Sequence, residues 1–136
     1  DTRLSKVSER DEELTLDGLT GNYDVFLYTS QEASVPIIRN EELILLYAEA
    51  NIMSNPGEAV NALNVIRTSA GLDAYTGDTD PASLTNEMLH QRRYSLYAEG
   101  HRWIDVRRYG RLDELPLARP EDDVFSQFPI PLTEGN

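Results

Sequence analysis

Cysteine is absent from the 136 residues of this chain. That excludes disulfides, thiolate nucleophiles and cysteine-built zinc sites, and it assigns no compartment. Lysine is almost as scarce: Lys6 is the only one, so arginine supplies nearly all the positive charge. The sequence holds one tryptophan, Trp103, and two histidines, His90 and His101, which is little imidazole for a metal centre. No apolar run approaches the roughly 18 residues that suggest a membrane span, and the longest, Leu43 to Ala48, reads as buried helix. Neither a glycine-rich phosphate loop nor a Gly-x-Ser-x-Gly elbow is present. Among 24 acidic residues no pair stands out for glycoside hydrolysis. The expectation is a protein that is not an enzyme and that carries no catalytic residue, metal or cofactor. The chain opens on Asp1-Thr2-Arg3, where a removed leader and a cut from a longer protein read alike.

Acidity dominates what is present. Twelve basic residues against 24 acidic ones give a net charge of −12. Such a chain repels phosphate backbones, so nucleic acid is not an expected partner. Heavy acidity with scarce lysine fits a salty habitat or simple solubility. The basic charge is unevenly spread: Arg92, Arg93, Arg102, Arg107, Arg108 and Arg111 supply half of it.

Residues 1–38 lack a helical period and read as an irregular segment, the end of the upstream part of a larger domain. Val25 to Thr29 is β-prone, with Gly18 and Gly21-Asn22 marking turns before it. Helical signals begin at Asn40, a candidate cap followed by Glu41 and Glu42. Leu43, Leu46, Tyr47, Ala50 and Met53 then share one face. Asn55-Pro56-Gly57 ends that helix. Ala59, Leu63, Ile66 and Ala70 form the face of the next, with Gly71 placed as its C-terminal cap. So short a turn demands antiparallel packing. After a polar loop, Thr85 is the candidate cap of a third helix running through Glu99, and a fourth spans Arg102 to Tyr109. Pro116, Pro120, Pro129 and Pro131 keep the remainder extended or turning. The expected class is mainly α, with tetratricopeptide-like helical hairpins, irregular flanking segments and little β.

The hairpin Tyr47-Ala48-Glu49-Ala50, Glu58-Ala59 and Ala62-Leu63 has the small-residue pattern of a tetratricopeptide unit. A plain helical hairpin fits as well. A lone unit cannot bury both faces, so neighbours are implied. Arg93 falls on an otherwise apolar face, between Leu89 and Leu96, where a guanidinium needs a charged partner. Asp105 or Glu49 could supply a bidentate one, giving an ion-pair network that clasps the helices; a ligand-binding arginine cluster is the functional alternative. His101 and Asp105, near Glu99, have spacing that can hold a metal, although the surrounding arginines oppose a cation. Asp78 and Asp80 could help hold calcium, but the rest of that loop pattern is missing.

Four stretches together resemble the C-terminal domain of the SusD/RagB family: Pro36-Ile37-Ile38-Arg39 leading into Leu43 to Ala50; Ala62 to Arg67 with Ala70-Gly71-Leu72; Arg92-Arg93 through Gly110; and Pro129-Ile130-Pro131 with Glu134 and Asn136. Asp1-Thr2-Arg3-Leu4 resembles a further family segment. Gln91 and Ser95 depart from the family's usual glutamates, and Thr68 replaces an arginine. The resemblance makes residues 39–136 the helical C-terminal region. It implies a fragment of a lipoprotein displayed on the outer-membrane surface and anchored by an N-terminal lipid outside this chain. It implies capture of an oligosaccharide or other nutrient for a SusC-like TonB-dependent transporter, without bond cleavage. It carries no binding residue onto any position here.

Sugar faces stack on π-surfaces, which makes Tyr23, Tyr28 and Tyr75 the physical candidates for ligand binding, since they lie in stretches expected to be irregular and exposed. Trp103 is expected in the helical core. Two other classes compete with the nutrient-binding reading: a tetratricopeptide-like protein-interaction scaffold with no nutrient ligand, and a helical glycan-processing enzyme.

Overall fold

The computed structural model describes residues 1–128, 130, 131 and 133. Its four helices are α1 (Asn40–Asn51), α2 (Pro56–Ser69), α3 (Pro81–Ser95) and α4 (His101–Arg108). A short 3-10 helix, Thr2–Lys6, and two strands, β1 (Val7–Leu16) and β2 (Leu19–Val25), precede them. The chain is mainly α with little β.

Local chemistry explains where each helix starts. Asn55 caps α2 by accepting from the Glu58 amide, and Pro56 occupies the first turn, where its missing N–H costs nothing. Asp80 caps α3 by accepting from the Ala82 and Ser83 amides. The third helix therefore starts at Pro81 rather than at Thr85, because Asp-Pro combines a cap with a preset φ. It stops at Ser95, and Ala98 and Gly100, both at positive φ, turn the chain into α4. Arg39, not Asn40, holds the cap position of α1 and makes no side-chain cap bond.

The core lies between α1, α2 and α3. Leu45, Ala48 and Ile52 meet Ala59, Ala62, Leu63 and Ile66, and Leu84, Met88 and Leu89 close the cluster. Each fully buried leucine contributes about 1.5–3 kcal/mol. The α2 face matches the sequence pattern, and Gly71 follows it at φ +72. The α1 face does not. Leu43, Leu46, Tyr47, Ala50 and Met53 are exposed, Met53 by 78%. With Leu43 to Ala48 apolar all round, spacing alone could not choose the face.

The N-terminal stretch also differs from expectation. Its strands cover 7–16 and 19–25, whereas 26–29 lies beyond them. The hairpin turns at Asp17-Gly18, both at positive φ, as a tight two-residue turn requires. Gly21 sits within β2, opposite Leu14. Register is interrupted between Glu9 and Leu14, and every β1 residue from Asp11 to Leu16 is exposed. An exposed two-stranded ribbon is marginal alone. Here it is fastened at both ends: Phe26 N donates to Lys6 O at 2.7 Å, and Arg119 Nη1 reaches the Asp17 carbonyl and carboxylate at 3.0 and 2.6 Å.

Past Leu115 no helix or strand occurs among the described residues. Pro129, Glu134 and Asn136, part of the closing motif, lie outside them.

Candidate functional site

Docking of the first six residues on α3 creates an aromatic groove. Arg3 is buried there; its Nη1 donates to Gln91 Oε1 at 2.7 Å and Ser95 Oγ at 3.1 Å, and its Nη2 pairs with Asp1 at 2.7 Å. Gln91 and Ser95, the two departures from the family's glutamates, are fully buried as neutral acceptors for this guanidinium. Lys6 Nζ donates to the Tyr94 carbonyl at 3.0 Å and to that of Ser95, occupying carbonyls at the C-terminal end of α3 where a cation is favoured. Burial lowers the Lys6 ammonium below its usual range, and repulsion from Arg39 adds to the effect. Burial likewise lowers the Arg3 guanidinium, against the opposing pull of Glu41.

The resulting groove, about 470 Å³, is lined by Tyr23, Tyr94 and Tyr97 with Arg3, Lys6, Leu4 and Val7. Tyr23 is 60% exposed on β2, Tyr94 stands in the last turn of α3, and Tyr97 follows three residues later in the turn beyond it. Arg3 lies 5.4 Å from the Tyr94 ring centre, a cation–π contact. Neither a carboxylate nor an imidazole lines the groove. Three aromatic faces beside two cations can hold a planar or ring-shaped polar ligand.

Of the three tyrosines singled out in the sequence, only Tyr23 enters this groove. Tyr28 is exposed beside Ala33, Pro36 and Arg39, in a separate depression. Tyr75 is half-buried instead of free: it packs against the core, its hydroxyl donates to the Asp78 carbonyl at 2.9 Å, and its amide donates to Asn64 Oδ1. Tyr94 and Tyr97 were missed. Their i, i+3 spacing was visible, but the wall opposite them comes from residues some ninety positions earlier.

The arginine-rich stretch is rearranged by one position. Arg92, not Arg93, is buried; its Nε donates to Asp105 Oδ2 at 2.7 Å, while Arg93 is exposed. A helix of 3.6 residues per turn puts adjacent residues about 100° apart, and the buried face passes through Leu84, Met88 and Arg92. Asp105 lies 3.6 Å from Arg108 Nη2, and Arg108 bonds Glu49 through both Nη1 (2.8 Å) and Nη2 (2.9 Å). Tyr109 donates to the same carboxylate at 2.7 Å. The network therefore joins α3, α4 and α1 through the two acids expected.

Trp103 lies outside the core: its Nε1 donates to the Phe125 carbonyl at 3.1 Å, the Phe128 ring packs tilted against it with centres 4.9 Å apart, and Arg107 lies over its ring at 4.3 Å. His101 faces Glu42 at 3.9 Å and Arg92 at 3.5 Å rather than pairing with Asp105, and Asp80 is engaged as a cap. Among the described residues no group of three or more His, Asp or Glu side chains could hold a metal. Among the described residues no helix is long and apolar enough to cross a membrane.

SusD-like protein P38 of Formosa agariphila is 31% identical over 93 residues, covering 62% of this chain and 18% of that protein. The aligned stretch is thus less than a fifth of the relative's length. No solved structure matches. The SusD family model matches residues 27–131, so the chain belongs to the SusD family.

Proposed function

We propose that this chain is part of a nutrient-binding lipoprotein on the outer-membrane surface, which captures an oligosaccharide without cleaving it and passes it to a SusC-like TonB-dependent transporter. The observation that carries the reading is the groove of Tyr23, Tyr94 and Tyr97, rich in aromatic faces and lined by no carboxylate or imidazole, in a chain of the SusD family. In this reading residues 1–38 end the upstream part of a larger domain and residues 39–136 form its C-terminal helical region. The exposed stripe of Leu43, Leu46, Tyr47 and Met53 supports it, because a tetratricopeptide-like hairpin buries its second face only against a neighbouring helical unit. Tyr28 and Tyr75 stand apart and are secondary candidates as ligand contacts.

The test is titration of the intact protein with neutral oligosaccharides. Tyr23→Ala or Tyr97→Ala should weaken binding by about three- to tenfold, the value of one aromatic contact, while saccharide chain length stays unchanged after incubation. The transporter should co-purify from the outer-membrane fraction. The same exposed stripe also favours a second reading, a scaffold that binds a partner helix. Retention of a proteinaceous partner through Leu46 and Tyr47, with no affinity for any saccharide, would put that reading first.

A further inference from the structure

Tyr97 also lines a second cleft, about 350 Å³, enclosed by the C-terminal end of α3, the turn at 96–100, the first turn of α4 and residues 114–116. Its size falls in the lower part of the roughly 300–1,000 Å³ range of small-molecule sites. In a chain of net charge −12, this cleft gathers three guanidiniums, from Arg92, Arg93 and Arg102, against the carboxylates of Asp105 and Glu114.

Those two carboxylates are already engaged. Asp105 accepts from Arg92 Nε, and Glu114 accepts from Arg102 at 2.9 Å and Arg111 at 3.4 Å. Arg93 has no ion-pair partner among the described residues and is exposed. Arg92 is 5% exposed, and its Nη1 is buried without a hydrogen-bond partner. A buried guanidinium N–H left unmatched is costly, and the Arg92 side chain that carries it lines the cleft. Independently, α4 starts at Gly100 with no side-chain cap. The amides of its first turn have no intrahelical acceptor and carry the positive end of the helix dipole. Gly100, His101 and Arg102 of that turn line the same cleft. Arg92 with its unmatched donor, the free guanidinium of Arg93 and an uncapped helix start thus line one cleft.

We infer that this cleft takes the carboxylate of an acidic sugar, a uronic acid, in a saccharide whose neighbouring units lie against the tyrosine groove. Arginine suits a carboxylate because the planar fork of N–H donors matches its two oxygens. Tyr97, which lines both spaces, offers the apolar flank between them. The inference rests on the glycan-binding reading and deepens it: the ligand is anionic, and Arg92, Arg93 and the start of α4 select it.

The test is calorimetric titration of the intact protein with glucuronate-containing and glucose-only oligosaccharides of equal length, in wild type, Arg93→Glu and Arg93→Lys. Arg93 is exposed and makes no hydrogen bond or ion pair among the described residues, so these variants are expected to keep the fold. The acidic saccharide should bind more tightly than the neutral one, Arg93→Glu should weaken it by at least about tenfold, and Arg93→Lys, which keeps the charge but not the fork, should recover only part of the loss. Amide NMR shifts on its addition should map to His101 and Arg102. If acidic and neutral saccharides bind equally and Arg93→Glu changes neither, the cleft is not a carboxylate site although the protein binds glycans. If neither saccharide binds, the glycan reading falls and the inference with it.

Discussion

Nε of Arg92 on α3 donates to Oδ2 of Asp105 on α4 at 2.7 Å, and both side chains are almost wholly buried. The pair is continued by Arg108 and Glu49, which carry it to α1. Removing one member of a buried pair strands the other charge away from water. Arg92→Ala is therefore expected to destabilise the chain by about 3–5 kcal/mol. Arg93→Ala, one residue on and exposed, should stay within about 0.5 kcal/mol of wild type. Urea midpoints for the two variants decide the matter, and equal midpoints would sink the assignment of Arg92 as the clasp.

A second adjacent pair separates core from surface on α1. Leu45 is fully buried, whereas Leu46 is exposed. Leu45→Ala should cost about 2–5 kcal/mol through lost burial and the cavity left behind. Leu46→Ala should cost little in the chain itself. A comparable loss for both, measured by thermal melting, would mean that Leu46 is covered in solution.

These neighbouring pairs show what the sequence could and could not disclose. The α2 face was legible because Asn61, Asn64, Arg67, Thr68 and Ser69 break up the apolar residues around Ala59, Leu63, Ile66 and Ala70, favouring one orientation. On α1, consecutive Leu43 to Ala48 are apolar, so every face looked suitable. Arg92 and Arg93 are chemically identical neighbours, and only the position of α4 selects between them. The hairpin hid because Val7–Leu16 is rich in acids and has no apolar alternation; it is held by Lys6 and Arg119 rather than by burial. The groove depended on Arg3 meeting Gln91 and Ser95 across the chain, a pairing of residues that no local pattern encodes.

The cap of α3 makes stability depend on acid. Hydrogen bonds from Ser83, then from the Ala82 amide, hold the Asp80 carboxyl below its usual range. A carboxylate with a lowered folded-state pKa stabilises above its unfolded value, and that contribution disappears as pH falls through the folded one. Asp80→Ala should thus lower the melting temperature at neutral pH, and the gap from wild type should narrow on acidification below the ordinary carboxylate range. A gap independent of pH would show that the ionised cap is not what stabilises the start of the helix.

The alkaline side is governed by Tyr109, whose hydroxyl donates to Glu49 Oε1 at 2.7 Å. Burial, the hydrogen bond and the Glu49 charge together push its pKa up from 10.0 to about 12. Phenolate formation would place a second negative charge against Glu49 and remove the donated proton. The folded state binds this proton more tightly than the unfolded one. Its contribution is therefore complete below about 10, declines as pH rises, and is gone above about 12. Tyr109→Phe keeps the ring and deletes the hydroxyl, so wild type should be the more stable at neutral pH and the two should converge across that window. Denaturation midpoints measured across the window, together with ultraviolet titration of the tyrosinate band, give the comparison. A wild-type advantage that persists beyond the window, or a Tyr109 that ionises with the exposed tyrosines, would show that the Tyr109–Glu49 bond is not maintained in solution, leaving Arg108 alone to tie the end of α4 to Glu49.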